Sequence, residues 1–387
     1  MKILICASEM VPFAKTGGLA DVVGALPLAL EELGLEVRVV IPKYKPARLS
    51  QTVSRAIGSD IEVTKIGKNA QVYFIKNDAY FNREGLYGDK NGDYPDNLER
   101  FSFFCRRALE ILPEINFRPD VIHCHDWQAG LIPVYLKTVY SKNKFYKHIK
   151  TVFTIHNLAY QGVFNKEKYP KLGLDWSLFK IEGLEFYGKV NFLKGGLIFS
   201  DSLSTVSLAY SKEIQTKEFG CGLEGLLHQR KKYLFGIING LDYKVWDPAQ
   251  DRYIYKKYSP LKLEDKYANK KLLQEERGLS VRADVPLLGM VSRLVTQKGL
   301  DLVTQGLEEL IERSRVQMIV LGDGDAKYHN LLKDMVKKYP RNLSLCFDFN
   351  DPLAHKIYAA ADIFLMPSYY EPCGLGQMIA LKYGTIP

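Results

Sequence analysis

The chain has 387 residues, a net charge of +9, 47% apolar and 25% charged residues, and no biased tract. That length has room for two domains with buried cores, the composition excludes a disordered chain, and no apolar stretch is long enough for a membrane span. The basic residues are densest around 142–150 and 256–271. No nucleic-acid-binding signature accompanies them, so no nucleic-acid partner is expected and the positive field suits an anionic nucleotide.

Strands and helices alternate along the first half. Ile3-Leu4-Ile5-Cys6-Ala7 reads as a strand, and the pattern from Val22 to Leu30 as a helix. Between them lies Lys15-Thr16-Gly17-Gly18-Leu19-Ala20-Asp21. A strand, a glycine turn and a helix in that order present free backbone N–H groups and a positive helix end to an anion, and Lys15 adds a mobile charge. The spacing is not the dinucleotide fingerprint, which argues against a nicotinamide oxidoreductase. Further strands are expected at 37–42, 72–75, 121–125, 151–156 and 202–207, with helices at 97–112 and 130–140. This is an α/β domain with a mainly parallel sheet, running to about residue 240.

The stretch 242–260, bearing proline and tyrosine, reads as an interdomain connection. The alternation then restarts, with strands at 286–291, 317–322, 343–347 and 363–366 and helices at 300–312, 327–339 and 375–383. Gly384-Thr385-Ile386-Pro387 should open another strand, so the second domain is expected to be incomplete. The first strand is expected to begin at Lys2, so no signal peptide is expected. The six cysteines form no C-x-x-C pair and read as reduced thiols, so the expected location is cytoplasmic.

In doubly wound sheets ligands bind at the carboxyl ends of strands. Polar residues gather there in both halves, and a cleft between two facing α/β domains is the economical explanation. Glu9 and the glycine turn follow the first strand. His123-Cys124-His125-Asp126-Trp127 ends another. This run admits a metal site or a polar strand end with a buried histidine. Alternate residues on a strand face opposite sides, which favours the second reading, and no metal is expected. His156 is followed by Asn157, Tyr160 and Gln161, which read as a sugar-hydroxyl surface. Arg293 and Lys298 form either a diphosphate clamp or two exposed bases on a loop. Glu371 precedes Cys373-Gly374-Leu375, another glycine turn into a helix. A carboxylate there suits hydroxyl recognition or simply complements the helix dipole.

Taken in order, these stretches resemble bacterial glycogen synthase and plant starch synthase. The shared runs are Lys15 to Val22, His123 to Ala129, Thr154 to Gly162, Ser204 to Ser207, Glu218 to Gly225, Ile238 to Pro248, Ser292 to Asp301 and Glu371 to Gln377. The resemblance implies the GT-B fold, with a starch synthase catalytic, acceptor-side Rossmann-like domain at 1–241 and a partial nucleotide-sugar-binding domain at 242–387. It implies transfer of glucose from ADP-glucose to the 4-hydroxyl at the non-reducing end of an α-1,4-glucan, with retention and without a cofactor. His156 and Glu371 then lie at the transferred glucose, and Arg293 and Lys298 at the departing diphosphate. Lys15, Gly17, Gly18, Asp21, Asp126, Asn239, Cys373, Gly374 and Leu375 are expected substrate contacts. Ile379 stands where the wider GT-B pattern has a second glutamate, as the subfamily does. A related synthase using UDP-glucose, and an impaired fragment that still binds nucleotide or glucan, are the alternatives.

Overall fold

The computed structural model describes residues 1–45, 55–348 and 350–387. The chain divides into two compact units, Met1–Asn239 and Gly240–Pro387. No described helix is long and apolar enough to cross a membrane.

Unit 1 opens with β1 (Lys2–Cys6), α1 (Gly18–Glu32), β2 (Glu36–Pro42), β3 (Arg55–Ile57), β4 (Ile61–Ile66) and β5 (Ala70–Ile75). It continues with α2 (Asp78–Phe81), a ribbon of β6 (Gly88–Asp89) and β7 (Gly92–Asp93), α3 (Asn97–Glu114), β8 (Val121–His125), α4 (Leu131–Lys137) and β9 (Lys150–Ile155). A small antiparallel sheet follows, made of β10 (Val163–Asn165), β11 (Glu185–Phe186) and β12 (Lys189–Asn191). Then come α5 (Phe192–Phe199), β13 (Ser202–Thr205), α6 (Leu208–Glu213), α7 (Glu224–Gln229) and β14 (Leu234–Gly236).

The main sheet runs β14-β13-β9-β8-β1-β2-β5-β4-β3. It is parallel from β14 to β5; β4 then runs antiparallel to β5, and β3 antiparallel to β4. Strand β1 is central because Ile3 to Cys6 are apolar on both faces and fully covered. Helix α1 lays Leu19 and Val23 over Val37, Val39, Ile41 and Phe74. Each such side chain contributes about 1.5–3 kcal/mol by leaving water. Register aligns Cys6 with Cys124 and His125 with Thr154, so the carboxyl ends of β1, β8 and β9 share one edge. Helix α4 is shorter than the expected 130–140 segment. Thr138 turns its hydroxyl back onto the Val134 carbonyl (2.7 Å) and competes with the helix there.

Unit 2 contains α8 (Glu264–Glu276), β15 (Leu287–Val291), α9 (Leu300–Ser314), β16 (Gln317–Leu321) and α10 (Ala326–Lys338). It closes with β17 (Leu343–Cys346), α11 (Asp351–Ala360), β18 (Ile363–Phe364) and α12 (Leu375–Lys382). The sheet is parallel, in the order β17-β16-β15-β18. One face buries Met318 and Val320 against Val303 and Leu307 of α9 and Leu332 of α10. The other packs Ile319 against Leu273 of α8 and Ile357 of α11. Strand β18 is shorter than the expected 363–366. The Leu365 N–H still reaches the Gly289 carbonyl (2.8 Å), but Pro367 has no N–H to continue the ladder.

The stretch 242–260 is part of unit 2 rather than a free linker. Trp246, Ile254 and Tyr258 are buried with Tyr358, Phe364 and Tyr383. The Trp246 ring stacks on His355 at 4.0 Å. Asp251 accepts from the Tyr383 hydroxyl (2.5 Å) and meets His355 Nδ1 at 2.6 Å. Four aromatic side chains in the 13-residue span from Trp246 to Tyr258 were the sequence sign of this burial.

Candidate functional site

The glycine turn of unit 1 is organised by Glu9, just past β1. Its Oε2 accepts the backbone N–H of Thr16 (2.5 Å) and of Gly17 (3.2 Å). Its Oε1 accepts the hydroxyls of Thr16 (2.6 Å) and Tyr87 (2.6 Å). The expectation that the turn leaves its N–H groups free is therefore corrected at Gly17. An internal carboxylate already occupies the donors before the helix. What stays open is the end of α1 itself: it begins at Gly18, with Gly17 as N-cap and no side-chain cap. Lys15 Nζ pairs with Asp21 at 2.8 Å across the turn. Asp21 thus orients the lysine and also complements the positive helix end.

At the ends of β8 and β9, strand alternation puts His123, His125, Thr154 and His156 on one face of the sheet. His123 Nε2 meets Thr154 Oγ1 at 2.6 Å, and Thr154 meets Ser204 Oγ at 2.6 Å. His125 Nδ1 lies 2.9 Å from His156 Nε2. Burial takes the His156 imidazole down to about 3, with neighbouring His123 adding to it, and takes His123 down to about 4. His125 is driven well below its ordinary value for the same reason. All three rings are neutral at neutral pH, so they act as hydrogen-bonding groups rather than cations.

Asp126 follows β8 with φ 56° and ψ −176°, a region that suits glycine. The strain is held by two bonds that tie it to β9. Its N–H donates to the Thr154 carbonyl (3.0 Å), and its Oδ1 accepts the His156 N–H (2.7 Å). Burial pushes its carboxyl up to about 7, against the pull of the His156 and Asn157 backbone N–H groups. Asp126 therefore sets where His156 begins. Among the described residues no group of three His, Cys, Asp or Glu is placed to hold a metal ion.

The reading of Gln161 as a sugar-facing amide is corrected. Its Oε1 accepts from Asn191 Nδ2 (2.6 Å) and its Nε2 donates to the Cys221 carbonyl (3.1 Å). The Asn157 side chain closes a turn onto the Ala159 N–H (3.0 Å), while Tyr160 is about half exposed. Asn239 is partly buried at the last residue of unit 1.

In unit 2 two loops lie side by side at the carboxyl end of the sheet. One carries Arg293, Gln297 and Lys298 after β15, and the other carries 367–374 after β18. The Tyr369 N–H donates to the Gln297 carbonyl (3.0 Å), and Gln297 Nε2 donates to the Tyr370 carbonyl (3.2 Å). Lys298 Nζ donates to Glu371 Oε1, and the Ser368 hydroxyl donates to the same oxygen (2.7 Å). Lys298 and Glu371 are thus one charged unit, both about four-fifths covered. Arg293 reaches Gln297 Oε1 at 3.3 Å. Gly299 has φ +70°, and a Cβ there would lie 2.0 Å from the Pro367 carbonyl oxygen, so only glycine lets the loops meet. Gly374, at φ +79°, starts α12 without a side-chain cap, with Cys373 before it and Leu375 as its first residue. Sequence reasoning noted Glu9 without assigning it a role and did not single out His125. Adjacent β8 and β9 and alternation on one face were the available signal for His125.

Comparison with known proteins adds to this geometry. Residues 2–229 match the family described as starch synthase catalytic domain, and residues 274–387 match glycosyl transferases group 1. A glycogen synthase of Geotalea uraniireducens (strain Rf4) is 50% identical, the match covering 100% of this chain and 82% of that protein. A glycogen synthase of Syntrophotalea carbinolica is 48% identical with the same coverage. The solved catalytic domain of starch synthase IV from Arabidopsis thaliana, bound to ADP and acarbose, superposes with a TM-score of 0.92 at 33% identity. That match covers 100% of this chain and 82% of that one. A sucrose-phosphate synthase of Thermosynechococcus elongatus shares the fold, with a TM-score of 0.61 at 16% identity over 99% of this chain and 79% of that one.

Proposed function

This chain belongs to the glycogen and starch synthase family of glucosyltransferases, and from that premise we propose that it moves glucose from ADP-glucose to the 4-hydroxyl at the non-reducing end of an α-1,4-glucan, with retention. Its fold is GT-B, with a Rossmann-like parallel sheet in each unit. The observation that carries the donor and acceptor is the starch synthase bound to ADP and acarbose, which matches the whole of this chain.

The chemistry supports the same reading. When the glycosidic bond to the donor breaks, charge builds on the departing diphosphate. Cations already in place act there more strongly than on the ground state. Arg293 and Lys298 fill that role, and Glu371 holds Lys298 in its rotamer. The Glu371 oxygens and the open N-terminus of α12 at Gly374 and Leu375 receive the hydroxyls of the transferred glucose. Cys373 lines the same turn. In unit 1, neutral His156 hydrogen-bonds the glucose, and Asp126 fixes its backbone. Lys15, steered by Asp21, and the open end of α1 at Gly18 serve the donor, with Asn239 as a further polar contact.

The test is transfer of label from ADP-[14C]glucose and from UDP-[14C]glucose to glycogen by the purified chain. Preferential transfer from ADP-glucose supports the proposal. Transfer from UDP-glucose alone, or label released only as free glucose, overturns it.

A further inference from the structure

Two buried neutral imidazoles in hydrogen-bond contact share one proton between two nitrogens. His125 Nδ1 and His156 Nε2 are 2.9 Å apart, with ring centroids at 5.2 Å and planes 34° apart. His125 ends β8, and His156 directly follows the last residue of the adjacent parallel strand β9, whose register with β8 is fixed, so the contact follows from the fold. Two arrangements are possible. Either His125 carries its proton on Nδ1 and donates, or His156 carries its proton on Nε2 and donates.

The far side of His125 decides between them. His125 is completely buried, and its Nε2 has no hydrogen-bond partner among the described residues. If His156 donated, His125 would have to be protonated on Nε2, and that N–H would be stranded without an acceptor. Orphaned buried donors are the rarest polar defect in folded proteins. If His125 donates, the unpartnered atom is only a bare ring nitrogen. Protonating both nitrogens of either ring is opposed by burial, which lowers both imidazoles.

We infer that His125 is a positioning residue that donates from Nδ1 to His156 Nε2 and so locks His156 as the Nδ1–H tautomer. His156 then offers an N–H rather than a lone pair from its other nitrogen, and its ring cannot flip without breaking the contact. On the reading of His156 as a glucose contact, on which the kinetic part of this inference rests, that N–H donates to a hydroxyl oxygen of the transferred sugar. A second-layer hydrogen bond that chooses the tautomer of a working histidine is an established device of active sites.

The direct test uses the wild-type full chain labelled with 15N-histidine, read by long-range 1H–15N correlation at pH 7. We expect pyrrole-like Nδ1 and pyridine-like Nε2 for both His125 and His156. A pyrrole-like Nε2 on His156 overturns the inference, whatever the enzyme's activity. The kinetic test compares His125→Asn, whose amide N–H2 sits near the position of Nδ1, with His125→Leu, which donates nothing. Asn should keep kcat within about threefold of wild type, and Leu should lower it roughly tenfold or more, with donor Kd little changed in both. Equal losses in the two variants, or no loss in His125→Leu, overturn it. Failure of wild-type turnover would count against the proposed function and leave the tautomer measurement standing.

Discussion

Replacing Glu9 should loosen the glycine turn by an amount that follows from its four hydrogen bonds. Two of the donors are backbone N–H groups of Thr16 and Gly17, which cannot become acceptors. The other two are hydroxyls of Thr16 and Tyr87, which can rotate. In Glu9→Gln the amide oxygen faces the backbone pair and the amide N–H2 faces the hydroxyls, so every contact survives but the charge is lost. Charged hydrogen bonds exceed neutral ones by about 1 kcal/mol each, which for the two backbone N–H bonds gives a cost of about 2 kcal/mol at the turn. Glu9→Ala leaves both backbone donors unmet, at roughly 1–3 kcal/mol apiece, or about 4 kcal/mol together. At 1.36 kcal/mol per factor of ten, hydrogen exchange at the Thr16 and Gly17 amides should quicken about thirtyfold in the first variant and about a thousandfold in the second. The assay is residue-resolved exchange on the full chain, with distant amides of β5 as the internal standard. Unchanged exchange at both amides in Glu9→Ala would refute the assignment of Glu9 as the organiser of the turn.

Other consequences are equally direct. Lys298→Ala and Arg293→Ala should each lower kcat at least about a hundredfold, since losing a charged transition-state contact costs about 3 kcal/mol; near-normal turnover in both would remove them from the clamp. Gly299→Ala must relieve a 2.0 Å approach to the Pro367 carbonyl from a φ of +70°, so the variant should lose about 3 kcal/mol in denaturant titration, and an unchanged midpoint would contradict the close approach. The buried histidines are lowered on folding, so they bind protons more readily when unfolded. Stability should therefore fall as pH drops from about 6.5 towards 4, and His123→Asn should flatten that fall in a pH series of melting temperatures. Asp126 is raised to about 7 and has the opposite sign: its contribution is lost as pH climbs from about 4 to 7, and Asp126→Asn should remove that loss.

Much of this fold is written in local patterns. The covered apolar run of β1, the glycine turn and the amphipathic spacing of α3 each identify their element without reference to distant residues. The three short strands β10, β11 and β12 were not legible, because runs of two or three residues carry no period. The candidate site divides in the same way. Arg293, Lys298 and Glu371 were visible as charged residues at strand ends, but the Lys298–Glu371 pair joins residues 73 apart. Glu9 was visible as a carboxylate after β1, whereas its tie to Tyr87 spans 78 residues. Gln161 was misread because its partners, Asn191 and the Cys221 carbonyl, come from segments that only tertiary folding brings near. The tautomer-setting role of His125 needs strand register, which composition and spacing along one segment do not supply.

The most direct measurement of the central claim follows the reaction itself by 1H NMR, with ADP-glucose and a maltooligosaccharide in the presence of the full chain. The account predicts loss of the ADP-glucose anomeric signal with matching growth of an internal α-1,4 anomeric signal, and no β-linked product at any time. Growth of a β-anomeric signal, or consumption of ADP-glucose with no lengthening of the oligosaccharide, would contradict it.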